Sequence, residues 1–497
     1  MIKRLRPLSA LLAAVAFIAL IVFAVAKVWT KGVCYADDAY IAHVAKNLAG
    51  GHGYASTLQD NTPAYAVRAF DPMISTGAPL VLPAAALIAM FGNAAWVPGT
   101  TVVAAVVLLL VAIRIVLGRK LDSVRLDFAA PVFLALAIAF TPFHLEQWYA
   151  LLGEVPAALL VVLACALLAT LGLTSAVTVA SGLLLGLAFL TKALAGLYFI
   201  GALAALTIVR GYGVAATEDK VTGSAVLALI AGFALPVLGF EVWKLSALGS
   251  QSYAQAWRGF FGYAGTLGNS AHGESLIARV SDGSTAFYTR FRFSLLELNA
   301  FNWFAVVVAC RYAKAPLPLL ATTLATGVTL QSIWWVSMSI GWPRYMIIAL
   351  VISAFLAALP ILFLRKAKHV AIYLVWIVLW SLPMWSRTTW TLRDFDTTRM
   401  ENLEKTVAFL RKQPEETPYV GQWWATVVDL EYRLEGSRHF KGFRALEVSD
   451  WKRGFLVAVN TFYIAKEDED FLRLLDKCGP PIQGAPPFSV YRCRAEP

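Results

Sequence analysis

The chain has 497 residues, of which 59% are hydrophobic and only 15% charged, with mean hydropathy +0.66. That composition excludes an ordinary soluble protein and reads as a polytopic membrane protein. The formal net charge of +11 would by itself suit a nucleic-acid binder. The cations cluster in short loops between apolar runs, which is a topology signal, so no nucleic-acid partner is expected. The five cysteines (Cys34, Cys165, Cys310, Cys478, Cys493) form no CxxC or Cys/His set with zinc spacing.

The N-terminus carries Lys3, Arg4 and Arg6 and then an apolar core. That core is too long for a signal-peptide h-region, and no small-x-small cleavage site follows. It is expected to stay as a first span over about 8–27, starting in the cytoplasm. Just beyond it lies Tyr35–Tyr54, YADDAYIAHVAKNLAGGHGY, with two adjacent acids in a protein short of charge. Ile41, Val44, Ala45 and Leu48 recur at helical spacing, Asp37 is a suitable N-cap, and Gly50-Gly51 ends the run. The apolar face is expected on the membrane, with Tyr40, His43 and Asn47 on another side. One cap needs one carboxylate, so the second acid asks for another reason.

Pro79–Phe91 is apolar, but it is short and holds two prolines. Were it a span, the basic loop 114–125 would fall outside, so an interfacial helix is expected. At roughly 20 apolar residues per crossing, about eleven spans are expected. After the first they lie near 99–117, 127–141, 155–173, 176–190, 194–209, 222–240, 297–310, 316–336, a tenth ending near 364, and 369–385. This leaves two long outer loops, about 27–98 and 241–296, the second rich in Trp, Tyr and Phe and suited to the interface. Every inner loop except the 174–175 turn carries Lys or Arg. No internal repeat or low-complexity segment is present.

Charge rises from about Arg387. The expected organisation is a membrane module over 1–390 and a small soluble α/β domain over 391–497 on the outer side. In that domain Glu401–Lys412, Ala425–Leu434 and Glu469–Leu475 read as helices. Tyr419–Trp423, Phe455–Ala465 and Phe488–Cys493 read as strands. Cys478 and Cys493 are candidates to pair if the compartment is oxidising, though spacing alone does not establish it.

Carboxylates beside a membrane are costly unless hydrated or paired, which makes them functional candidates. Asp37 and Asp38 come first, then Glu154 in Leu152-Gly153-Glu154-Val155-Pro156, where a plain helix-start acid is the competing reading. His144 and Glu146 share the preceding turn. Lys192 ends a span on the outer side, either snorkelling or binding an anion. Arg344-Tyr345 offers a planar fork of donors and a hydroxyl, or merely an interfacial anchor. His52, His272 and Glu274 are weaker candidates in the outer loops. All these groups fall at span ends on one face, none at a span centre. A transporter or flippase of lipid-linked glycans, the alternative reading, would place its polar site at midplane in repeated halves. An enzyme acting on a lipid-borne substrate wants a base for an acceptor hydroxyl and cations for a phosphate leaving group at one interface.

At this point the chain resembles the polyprenyl-phosphate-sugar-dependent glycosyltransferases of the GT-C fold. That group includes protein O-mannosyltransferases, lipid A aminoarabinose transferases and mycobacterial arabinofuranosyltransferases. DDAYIAHVAKNLAGGHGY is similar to bacterial members with an Asp-Asp-Ala-Tyr/Phe-Ile run, then Asn-Leu and Gly-His-Gly; Gly77-Ala78-Pro79-Leu80 partly matches their Asn-Pro-Leu or Pro-Pro-Leu stretch. Gly153-Glu154, Arg344-Tyr345 and the C-terminal outer domain also fit. The resemblance implies inverting transfer of a sugar from a polyprenyl-phosphate donor to a glycan, lipid or protein hydroxyl, on the outer face of a bacterial inner membrane. It implies Asp37 as the first acid of the pair and candidate base with Asp38 its neighbour, Glu154 binding the acceptor or positioning a cation, and Arg344 with Lys192 holding the carrier phosphate; Tyr345, His144 and His52 are candidate substrate-binding residues by position alone. The second acid of the family is often Glu; here it is the shorter Asp38. Nothing in the sequence forces a cofactor. A divalent cation on Asp37, Asp38 and Glu154 is an option, since oxygen ligands suit it.

Overall fold

A computed structural model describes residues 2–33, 36–58, 66–71, 74–142, 144–211, 222–270, 275–313, 317–339, 342–364, 366–392, 397–414, 417–421, 428–434, 440–461 and 469–493. The membrane region is built from α1 (Ile2–Lys31), α2 (Ala36–Ala49), α3 (Ala78–Phe91), α4 (Val97–Gly118), α5 (Ser123–Phe140), α6 (Glu154–Leu171), α7 (Ser175–Thr191), α8 (Gly196–Gly211), α9 (Gly223–Ser270), α10 (Leu276–Phe291), α11 (Leu295–Tyr312), α12 (Leu317–Met338), α13 (Ile347–Ala358) and α14 (Ala367–Leu392). Among the described residues eight helices are long and apolar enough to cross a membrane, or nine if α10 and α11, bent by 75°, form one broken span. Each of the eleven expected spans falls on a helix, but α7 and α8 are shorter apolar helices and α11 qualifies only together with α10.

Sequence character sorts the helices by position. α6 and the α13 segment are apolar on every side, and 83% and 94% of the residues in their most apolar stretches are buried, so they form the bundle's centre. α1, α9 and α14 bury only 17%, 17% and 22% and stand at the rim, facing lipid. The segment after residue 240, expected along the interface, is helical: α9 continues well past the apolar run. At Gly249 the backbone takes φ +71°, which glycine tolerates, and the chain folds back. The fold-back brings the Tyr253 hydroxyl (2.9 Å) and Trp257 Nε1 (3.2 Å) onto Glu241, a contact that residues 12 and 16 apart on a straight helix would not make.

α2, α3 and a small hairpin, β1 (Ala55–Leu58) against β2 (Ala66–Ala69), lie together on one face of the bundle. α3 starts beside the end of α7, where Gly77 N–H donates to Thr191 O at 3.3 Å. It ends beside the C-terminal domain, where Asn93 Nδ2 donates to Tyr432 O at 2.9 Å. The helix therefore runs along one face and does not cross.

The C-terminal region contains α15 (Thr398–Arg411), α16 (Val428–Arg433), α17 (Val448–Arg453) and α18 (Glu469–Cys478). Its sheet has strands β3 (Tyr419–Gly421), β4 (Phe440–Gly442), β5 (Phe455–Asn460), β6 (Gln483–Ala485) and β7 (Phe488–Cys493) in the order β4-β3-β5-β7-β6. β4, β3 and β5 are parallel and the β5-β7-β6 half antiparallel. β5 is buried at every position, as a central strand covered on both faces requires. Cys478 and Cys493 form a disulfide tying α18 to β7.

This domain docks on α2. Lys46 Nζ donates to Glu431 O (3.1 Å), Tyr432 O (3.0 Å) and Leu434 O, satisfying the free carbonyls at the end of α16. Arg433 forks onto Glu404 (2.8 and 2.9 Å) and reaches Asn93 O. Arg399 donates to Lys31 O, Val33 O and Asp429 Oδ2. The polar side of α2 is thus covered as fully as the apolar side. Tyr40, His43 and Asn47 are buried like Ile41 and Val44, so α2 is not the half-exposed interfacial helix its pattern predicts.

Candidate active site

The two acids of α2 part company. Asp38 is 1% exposed and its Oδ1 accepts the Leu151 N–H at 2.6 Å, fastening α2 to the turn before α6. Asp37, a residue earlier and about 100° round the helix, lies at the rim and pairs with Arg344 Nη1. It sits inside the first turn of α2, so it is not the N-cap. Arg344 stands in the short turn Pro343–Met346 that opens α13. Its guanidinium lies 4.8 Å from the Trp342 ring and 5.4 Å from the Tyr345 ring. These two faces, together with the Tyr345 carbonyl held by Gln331 Nε2 at 2.5 Å, set the direction of the fork.

Glu154 is the first residue of α6. Gly153, at φ +88°, turns the chain into the helix in a conformation that strains any residue with a Cβ. Glu154 Oε1 meets Lys192 Nζ at 3.1 Å, and Lys192 also donates to Ser75 Oγ at 3.2 Å. Thr76 Oγ1 donates to Leu152 O at 2.7 Å. The loop 74–77 therefore laces the end of α7 to the start of α6. In the adjoining turn His144 Nδ1 contacts Glu146 Oε1 at 3.1 Å.

The structure thus brings the expected residues into pairs: Asp37 with Arg344 and Tyr345, Glu154 with Lys192, and His144 with Glu146. His52 is exposed past the end of α2, and no contact joins it to them. His272, Glu274 and Gly341 lie outside the described residues. Among the described residues no group of three or more His, Cys, Asp or Glu is placed to hold a metal ion, and Asp37, Asp38 and Glu154 instead meet Arg344, the Leu151 N–H and Lys192.

Exposure ranks the pairs. The Arg344 and Asp37 side chains keep 25% and 31% of their surface, whereas Lys192 and Glu154 keep 13% and 6%. The first pair is open to a substrate; the second is nearly closed. Among the described residues four buried polar atoms in this region have no hydrogen-bond partner: Arg344 Nε, Glu154 Oε2, His144 Nε2 and Gln147 Oε1. Buried polar groups are nearly always satisfied, so a cluster of bare ones marks where a polar ligand belongs.

Sequence reasoning missed several residues. Ser75, Thr76 and Trp342 carry no charge and are indistinguishable from ordinary loop residues without the fold. Asp71 had a signal, being another acid in the first outer loop. It is buried, accepts from Ser56 Oγ at 2.6 Å and stands close to the Tyr40 hydroxyl. Burial and then Asp71 push that hydroxyl far above the ordinary tyrosine range, so Tyr40 stays protonated. His43, paired with Thr57 Oγ1 and 3.9 Å from Glu431, links α2 to both the hairpin and the C-terminal domain.

No protein-family model matches the chain, and no curated protein matches it by sequence. Solved structures do. ArnT from Cupriavidus metallidurans bound to undecaprenyl phosphate aligns with a TM-score of 0.59 at 13% identity, over 97% of this chain and 98% of that one. The same protein in the apo state gives a TM-score of 0.56 at 13% identity and the same coverage. The Archaeoglobus fulgidus oligosaccharyltransferase is more distant, with a TM-score of 0.47 at 14% identity, over 86% of this chain and 62% of that one. At such identities the likeness is one of fold: the chain is a multi-pass membrane protein with the GT-C architecture of ArnT.

Proposed function

We propose that this protein is an inverting glycosyltransferase that moves a sugar from a polyprenyl-phosphate donor to a hydroxyl of a cell-envelope glycan, lipid or protein. The observation that carries the reading is the half-exposed Asp37–Arg344 pair, with Arg344 Nε and Glu154 Oε2 buried and bare beside it. The fold is that of a protein bound to undecaprenyl phosphate, and the pair supplies the two groups such a donor needs.

In this mechanism the carrier phosphate takes the donors of Arg344, guided by the Trp342 and Tyr345 rings, and Lys192 adds charge at its edge. Arg344 then releases Asp37, whose carboxylate accepts the proton of the acceptor hydroxyl. The acceptor oxygen bonds to the anomeric carbon as the bond from that carbon to the phosphate oxygen breaks. The electron pair leaves with the phosphate and is stabilised by Arg344. A single displacement inverts the anomeric centre. Glu154 and His144 orient the acceptor through their bare atoms. Asp38 is a positioning residue: it holds α2 against the Leu151 turn, and so holds Asp37 in place.

The site face is the outer face of a bacterial inner membrane in this reading, with the N-terminus in the cytoplasm. The basic turn Arg119-Lys120 at the opposite end and the disulfide in the C-terminal domain both support that orientation. The test mixes purified protein with a panel of polyprenyl-phosphate sugars and envelope extract, wild type beside Asp37→Asn. Release of free polyprenyl phosphate by wild type alone is expected. Folded, lipid-binding protein with no turnover on any donor overturns the reading in favour of a transporter or flippase.

A further inference from the structure

We propose that the cavity at the end of the bundle opposite the site binds an anionic phospholipid, with an acyl chain inside and the phosphate on Arg114. This inference does not depend on the transfer reaction.

The cavity encloses about 300 Å³ among α1, α4, α5, α6 and α13. Its walls are aliphatic and aromatic, with Ala14, Leu110, Phe133 and Phe355 typical, and among the described residues that line it only Arg114 is charged. The packing explains why it exists. α1 and α4 meet closely at the site end, where a Cβ on Gly99 would lie 2.8 Å from Val28 Cγ2. Farther along, α1 lines the gap with Ala13 and Ala14, too small to close it, and with Phe17 at its inner end. The lining residues Val111 and Ile115 are 40% and 57% exposed, so the opening faces the membrane sideways, not water. An apolar recess open to a bilayer is filled by a hydrocarbon chain, because an empty one forfeits dispersion contacts along its whole wall.

The mouth is built for an anion. Arg114 is 40% exposed, and its Nε (3.1 Å) and Nη2 (2.6 Å) both donate to Asp127 Oδ1, which fixes the plane of the guanidinium. Nη1 lies over Gly118, where a Cβ would come within 2.9 Å, and it is left to bond a ligand. Arg125 Nη1 donates to the carbonyl of Leu362, a wall residue, at 2.9 Å and holds that rim. Arg119 and Lys120 are exposed on the same turn. Four cations stand here against two carboxylates, Asp122 and Asp127, which favours an anionic over a zwitterionic headgroup.

The full-length protein would be reconstituted in vesicles of equal phosphatidylglycerol and phosphatidylcholine, with a trace of either lipid carrying a photoactivatable diazirine on its chain. After irradiation, labelled peptides are mapped. Labelling of the α1, α4 and α5 segments around Ala14, Leu110 and Phe133 is expected at least fivefold stronger from phosphatidylglycerol than from phosphatidylcholine. Arg114→Gln should abolish that preference while the chain label persists. Ala14→Trp, at a lipid-exposed position that tolerates bulk, should cut labelling at least fivefold with either lipid. Equal labelling by the two lipids in wild type, or a preference unchanged in Arg114→Gln, overturns the proposal. So does displacement of the label by polyprenyl phosphate, which would assign the cavity to the carrier's tail.

Discussion

The Glu154–Lys192 pair offers the sharpest test of the site's electrostatics. The two side chains are 6% and 13% exposed and their charged atoms are 3.1 Å apart. Replacing Lys192 with Met keeps most of the volume but leaves a carboxylate whose other oxygen is already bare. Removing one partner of a buried pair typically costs about 3–5 kcal/mol. Glu154→Gln should cost less, about 1–3 kcal/mol, because Lys192 keeps Ser75 and extends toward solvent. The double variant removes both charges and should return to within about 1 kcal/mol of wild type, since well-packed neutral replacements of such pairs are often harmless. The cycle then gives a coupling energy of at least about 3 kcal/mol. Stability would be read by SDS titration in mixed micelles and transfer by release of polyprenyl phosphate. The double variant should be stable and inactive, which separates the fold's need for neutrality from the reaction's need for these groups. A Lys192→Met variant within about 0.5 kcal/mol of wild type would refute the reasoning, because a surface pair behaves that way.

Three further outcomes follow from the geometry. Gly77→Ala would set a Cβ 1.6 Å from Leu190 O, and real contacts stay beyond 3.0 Å, so the loop and the end of α7 must open by 1.4 Å. Such a shift beside Lys192 should lower turnover about 100-fold or more, whereas Gly239→Ala, with nothing within 4 Å, should leave it unchanged. Asp38→Ala should destabilise by about 1–3 kcal/mol through the orphaned Leu151 N–H, with Asp38→Asn restoring most of the stability. Asp37→Asn should instead leave stability near wild type and abolish transfer; the reverse pattern in unfolding and turnover would exchange the two roles. Burial raises the Asp429 carboxyl above its ordinary range, opposed by Arg399 at 2.8 Å. The folded chain therefore holds that proton more tightly than the unfolded chain. Wild type should gain stability over Asp429→Asn as pH falls toward ~4 and lose it as pH rises through the folded value. Parallel pH–stability curves would refute this.

Much of the architecture was legible because each feature has a local cause. A span is a run of apolar residues, and lipid leaves the backbone no option but a helix. The helix–glycine end of α2, the short helix α3, the strand Phe488–Cys493 and the start of a strand expected over Phe455–Ala465 and found over Phe455–Asn460 follow from period, length and turn residues. The candidate carboxylates and cations were visible because charge is rare in this chain.

What the tertiary structure decided were the partners. Asp37 and Asp38 are adjacent and chemically identical, yet one is locked to Leu151 and the other opposes Arg344, more than 300 residues away. No local pattern distinguishes them. The same holds for α2, whose amphipathic spacing predicts an exposed polar face that the C-terminal domain in fact covers through Lys46 and α16. The sequence by itself determined which segments enter the membrane and which residues are too costly to be there without a reason. Which of those residues meet, and which are left bare for a ligand, depends on long-range packing that brings the starts of α2, α6 and α13 to one rim. Burial and pairing energies are set by neighbours in space, so they exist only once that packing has formed.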